Sequence, residues 1–82
     1  MTKKNDNFTV KVNLDHIKNR RLELGLSLQD TAEALGFKNA STYMKYEEGV
    51  YSFKANHLPV LAAILKCRIE DFFNINFAKI AK

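Results

Sequence analysis

The sequence predicts a mainly α fold, five short helices in one small domain framed by two strand-like terminal segments. Three observations carry that prediction. Apolar residues recur at helical spacing between capping residues and glycines. Only a few residues separate the second helical pattern from the third. The outer segments FTVKVNL and FNINF alternate apolar with polar side chains, the period of a strand.

Taken in order, residues 1–7 (MTKKNDN) are polar and expected to fray. In residues 8–13 Phe8, Val10 and Val12 alternate with Thr9, Lys11 and Asn13, as a strand would. The helical core is expected over residues 15–73. Its first helix runs from Asp15 to Leu24, with Ile17, Arg21 and Leu24 on one side and Gly25 as the stop. Ser27 caps a second helix, and Asp30, three residues on, completes a capping box. Leu28, Thr31, Ala32 and Leu35 face inward there, and Gly36 closes the helix. A third helix spans residues 40–48. VYSFKANH reads as a loop, after which Asn56 is expected to cap a fourth helix reaching Lys66. That placement puts Pro59 in the first turn, where a missing N–H costs nothing. A short fifth helix covers Ile69 to Phe73.

The alternation of residues 74–77 leaves two readings. In one, Phe8–Val12 and Asn74–Phe77 pair as a two-stranded antiparallel β ribbon, because an unpaired strand leaves its backbone groups unsatisfied. Phe8, Val10, Val12, Ile75 and Phe77 would then pack on the helices or across a two-fold axis. In the other, Ala78–Lys82, which are good helix formers, extend the last helix.

Bulk composition bounds the function. Eighty-two residues give a single domain over 1–82 with a modest core and little room for a deep active-site cavity. A net charge of +4 leans toward an acidic partner. The lone Cys67 forms no internal disulfide and reads as a small core residue. With no apolar run of membrane length and no signal-peptide core after Lys3 and Lys4, the reading is a cytoplasmic protein with no membrane contact. One cysteine and two scattered histidines, His16 and His57, make no zinc site, so no metal or other cofactor is expected. The acidic pairs Glu47–Glu48 and Glu70–Asp71 are adjacent in sequence and diverge. With no phosphate loop or nucleophile elbow either, the chain is not read as an enzyme.

The informative stretch is LGFKNASTYMKYEEG, Leu35 to Gly49. It lacks a broad apolar stripe. Tyr43, Tyr46 and Val50 share one side, while Ser41, Met44, Lys45 and Glu48 share the other. Helices joined so tightly must cross steeply, which requires a small residue at the crossing and a tolerant one in the turn. Ala32 and Gly36 meet those demands. The layout is a helix-turn-helix, whose second helix projects an exposed face able to enter a DNA major groove.

The run IKNRRLELGLSLQDTAEALGF, followed by STYMKYEEG and LPVLAAILKCRIEDFF, resembles the lambda-repressor-like, Cro-type (XRE-type) helix-turn-helix family of phage and bacterial regulators. The shared parts are Arg21, Gly25–Leu26–Ser27, Ala32, Gly36, Glu47 with Gly49, and the closing IEDFF. The sequence departs from the family at Leu28, where a phosphate-contacting Gln is usual and Gln29 comes one place later. It departs again at Thr31, in place of Leu, and in a turn one residue longer. Without the extra residue the anchoring positions of the third helix would be Thr42 and Lys45. Burying that lysine would cost on the order of several kcal/mol, so the longer turn, FKNA, is taken, with Tyr43 and Tyr46 as anchors.

The resemblance implies sequence-specific binding of a double-stranded DNA operator by a transcription regulator, a repressor of phage or mobile-element kind. It also implies a homodimer on a two-fold site and an internal ion pair between Arg21 and Glu47. Asn39 is expected to cap the third helix, and Ala40, Ser41, Met44 and Lys45 to line its groove-facing side. A serine donates to or accepts from base edges, a lysine favours guanine O6 and N7, and alanine or methionine packs on a thymine methyl. Lys38, Thr42, Lys54 and the Tyr51 hydroxyl are the expected phosphate contacts. Against this, Lys38 and Lys45 could be solvated surface charges, and Lys3, Lys4 and Lys11 either solvation or a DNA-touching arm. From a different class comes a protein-interaction module of the same fold, an antitoxin or antirepressor whose main partner is a protein.

Overall fold

The computed structural model describes residues 9–76 and the side-chain surroundings of residues 11–73. The elements are β1 (Thr9–Val12), α1 (Leu14–Glu23), α2 (Leu28–Ala34), α3 (Ala40–Glu47), α4 (His57–Leu65), a 3₁₀ turn (Ile69–Phe72) and β2 (Phe73–Asn76). The expected fraying of residues 1–7, the placing of Lys3, Lys4, Phe8 and Phe77, and the helical alternative for residues 78–82 lie outside the described residues. So does the packing of Val10 and Ile75.

Among the described residues four α-helices stand where five were expected. The segment after α4 is a single 3₁₀ turn in which Asp71 Oδ2 accepts the Arg68 N–H at 3.1 Å. It has room for no more, because Phe73 turns to extended backbone and begins β2. β1 and β2 run antiparallel, with Thr9 opposite Asn76 and Val12 opposite Phe73. Next to the ladder the Asn13 N–H donates to the Phe72 carbonyl at 2.6 Å, and Asn13 then caps α1 by accepting from the His16 N–H at 3.0 Å.

The core is Ile17 from α1, Ala32 from α2, Tyr43 from α3, Leu61, Ala62 and Leu65 from α4, and Phe72. Leu28 and Leu35 are half-buried against it, and Thr31 is fully buried. Thr31 stands where an apolar residue was expected, and its hydroxyl is satisfied by donating to the Ser27 carbonyl at 3.0 Å. That bond removes most of the cost of burying it. Ser27 and Asp30 form a complete capping box at the start of α2.

The turn after α2 explains how the next helix is aimed. Gly36 has φ +83°, and the Phe37 N–H reaches back to the Ala32 carbonyl at 2.9 Å. A left-handed residue there ends the helix and reverses the chain at little cost. Phe37, Lys38 and Asn39 complete the connection, and α3 starts at Ala40. Tyr43 is fully buried and Lys45 exposed, which is the register of the longer turn.

α4 differs from expectation at its start and ends in an unusual way. Asn56 makes no side-chain cap bond, because its backbone is already helical at φ −75°, ψ −12°. His57 Nδ1 instead accepts the Lys54 N–H at 3.0 Å. At the far end Lys66 takes a left-handed conformation, φ 54°, without being glycine. Arg20 holds it there, donating from Nε to the Leu65 carbonyl at 2.8 Å and from a terminal nitrogen to the Lys66 carbonyl at 3.3 Å.

Candidate nucleic-acid interface

α3 is fastened from behind by a buried polar cluster. Arg21 of α1 meets Glu47 with two roughly parallel bonds, Nε to Oε2 at 2.8 Å and Nη2 to Oε1 at 3.0 Å. Its third nitrogen donates to the Leu26 carbonyl at 3.0 Å. Tyr43, one turn back on α3, donates its hydroxyl to Glu47 Oε2 at 2.7 Å. Burial first, and then the bond to Glu47, push the Tyr43 phenol well above its ordinary pKa, so it remains a donor. The bonds that Arg21 donates to Glu47 likewise raise the Arg21 pKa. A charge pair this far buried is tolerable only when its hydrogen-bonding capacity is used, as it is here.

Beside that cluster, Tyr46 lies in a ring of aromatic side chains. Phe37 stacks on it at 5.0 Å and 9°, Phe53 lies at 5.4 Å, and His57 and Tyr51 meet it edge-on at 5.3 and 5.4 Å. The anchoring of α3 therefore draws on the preceding turn and on the following loop. The sequence reading had Tyr43 and Tyr46 as anchors but not the partners from the loop. It also had Val50 on the anchoring side. Val50 lies beyond the end of α3 and is 65% exposed, because Gly49 at φ +85° turns the chain out of the helix.

What is left facing outward is narrow. Ser41, Lys45 and Glu48 are exposed and fall on one side at four- and three-residue spacing. Lys38 and Asn39 are exposed in the turn just before them, and Tyr51 and Lys54 in the loop just after. Lys45 Nζ lies 5.7 Å from the centre of the Tyr51 ring, so two of the expected contact residues lean on each other.

Three other expected site residues are half-buried. Met44 is half-buried and lines a recess of about 370 Å³ with Leu14, Lys18, Leu28 and Glu48, between α1, α2 and α3. Ala40 is half-buried. Thr42 is also half-buried, with its hydroxyl bonded to the cap residue: Asn39 Oδ1 accepts from the Thr42 N–H at 3.0 Å, the Thr42 hydroxyl at 2.9 Å and the Ser41 hydroxyl at 2.8 Å. At the start of α2, Gln29 is exposed and donates to Glu33 Oε2 at 2.9 Å, while the neighbouring Leu28 packs against the core.

Among the described residues no group of three or more His, Cys, Asp or Glu side chains is placed to hold a metal. Neither is any helix there long and apolar enough to cross a membrane. A family model described as helix-turn-helix matches residues 17–72, more than half of the chain. No curated protein and no solved structure matches the chain.

Proposed function

Because the chain belongs to the XRE-type helix-turn-helix family, we propose that it is a sequence-specific double-stranded DNA-binding transcriptional regulator, a small repressor of phage or mobile-element kind, with α3 lying in the major groove. The family is one of DNA-binding regulators and not typically enzymatic. The observation that supports the groove assignment is the division of α3 into a pinned side and a free one. Arg21, Tyr43 and Glu47 hold it from behind, while Ser41 and Lys45 are exposed.

In this reading Lys45 meets guanine O6 and N7, and Ser41 meets a neighbouring base edge. Lys38, Lys54 and the Tyr51 hydroxyl neutralise or bond phosphates on either side of the groove, which fixes register without reading sequence. Asn39, at the N-terminal end of α3, adds polar contact where the helix meets the backbone. Ala40, Thr42 and Met44 are secondary, shaping the flank of the helix. Few bidentate readers are present, so part of the preference comes from DNA shape. A second copy on a two-fold operator supplies the remaining surface, since one module this small buries too little to bind tightly. Occupying an operator that overlaps a promoter would then block transcription.

Selection of bound sites from random double-stranded DNA by the full chain tests the reading. An enriched half-site is expected, with affinity falling steeply as salt rises because neutralised phosphates release counterions. No enriched site and a flat salt response would overturn it in favour of a protein-interaction module, an antitoxin or antirepressor.

A further inference from the structure

The cap of α3 does more than end a helix. A backbone N–H only donates, so the Asn39 atom 3.0 Å from the Thr42 nitrogen must be the amide oxygen. An amide oxygen only accepts, and of its two lone pairs one serves the Thr42 N–H; of the Ser41 and Thr42 hydroxyls, at 2.8 and 2.9 Å, the Ser41 one is the nearer donor for the other. In this arrangement the Ser41 hydroxyl proton points inward, to Asn39. Of the two residues Ser41 is exposed, and what its oxygen has left to offer outward is lone pairs.

A serine on a recognition face ordinarily donates or accepts as the base requires. Here donation outward would first break the 2.8 Å bond to Asn39, whereas acceptance breaks nothing. We infer that Ser41 reads an exocyclic amino group, adenine N6 or cytosine N4, and discriminates against a base that offers only a carbonyl or ring nitrogen at that place. Asn39 sets this polarity as a positioning residue. The inference rests on the DNA-binding reading above and narrows the ligand chemistry of the same site.

Lys45 sharpens the pattern. It lies four residues on, on the same side of α3, and its ammonium only donates. Cβ atoms at that spacing are about 5–6 Å apart, and bases stack at about 3.4 Å, so the two side chains fall one or two base pairs apart. The outward face therefore presents an acceptor at Ser41 and a donor at Lys45, the complement of an amino group near a guanine.

The test uses the full chain and its enriched site, with the base that responds to Ser41→Ala identified by substitution. At that base the exocyclic amino group is removed, by purine in place of adenine or 2-pyrimidinone in place of cytosine. Wild type should lose about two- to tenfold in affinity, the range of one net hydrogen bond, and the Ser41→Ala variant should lose nothing further. Asn39→Asp keeps the accepting oxygen and should keep the wild-type ratio between normal and amino-deleted DNA, whatever it does to overall affinity. Equal losses in wild type and Ser41→Ala would overturn the inference. So would a loss seen with a 7-deazapurine in wild type but not in Ser41→Ala, which would make Ser41 a donor. Salt-sensitive binding to random DNA separates these outcomes from failure of the DNA-binding reading itself, in which neither protein would bind.

Discussion

Toward the body of the protein α3 presents Tyr43 and Glu47, both buried and both hydrogen-bonded; away from it the helix presents Ser41 and Lys45, four residues apart and exposed. The two sides use polar chemistry for opposite ends. On the inner side every polar atom of the Arg21–Tyr43–Glu47 cluster is matched to a partner within the chain, so the helix is held at a fixed angle. On the outer side the groups are few and face outward. The residues that hold the helix from behind are Arg21, Tyr43 and Glu47, and none of them is among the outward residues Ser41 and Lys45.

That separation can be broken by substitution, most severely from behind. Glu47→Ala leaves Arg21 buried without its counter-ion and Tyr43 without its acceptor, and should lower stability by about 3–5 kcal/mol. Denaturant or thermal unfolding measures this. An unchanged melting temperature would remove the cluster from the account of how α3 is held. Tyr43→Phe deletes one bond to a carboxylate and keeps the ring, so a loss of about 1.5–3 kcal/mol is expected. The raised phenol pKa adds a pH signature. The stability it carries is fully present below the ordinary tyrosine value and is lost as pH rises above it toward the higher folded value. Tyr43→Phe should therefore flatten the alkaline limb of the unfolding profile.

Lys45→Ala works on the other side. It should leave the melting temperature within about 0.5 kcal/mol of wild type while costing about 1–3 kcal/mol in binding to a preferred site, and much less on random DNA. Equal losses on both DNAs, by fluorescence anisotropy, would reduce Lys45 to a phosphate contact. The smallest effect concerns His57, whose ring joins the aromatic set behind α3. Its pKa is lowered by burial and then by the charge of Lys54, so its share of the stability is present above the ordinary imidazole value and lost as pH falls through the folded one. His57→Gln should make the fall in melting temperature between about pH 7 and 5 shallower. A slope identical to wild type would show that the aromatic packing behind α3 is indifferent to this proton.

How much of this was written in the sequence differs between the same two sides. The register of α3 was legible because a single cost, burying Lys45, decided between two turns. The caps at Ser27 and Asn39 were legible because a cap is local, needing only a side chain three residues from the N–H it accepts. The Arg21–Glu47 pair came from the family resemblance. The Tyr43 hydroxyl joining that pair was missed, although its spacing of four residues from Glu47 was there to be read. Arg20 was missed for a different reason. Its partners are backbone carbonyls at Leu65 and Lys66, far along the chain, and nothing in a lysine's identity announces a left-handed backbone. The rings around Tyr46 were hidden in the same way, since Phe53 and His57 sit in a segment with no periodicity. Asn56 misled because its residue type suits a cap while its backbone does not.

The β ribbon joins Thr9 to Asn76 and so ties together residues separated by most of the described chain. In polymer terms that is a long loop to close, and the entropy of closing it rises with the length of chain between the strands. Docking α1 to α4 first shortens the effective loop, because the helices bring Asn13 and Phe72 to 2.6 Å before the strands need to meet. The ribbon is then expected to close last and open first, which amide hydrogen exchange of the strands against α1 would show. Opening that stops at the α1 cap would lift Val12 and Phe73 from the core they flank but break none of the bonds between Arg21 and Glu47.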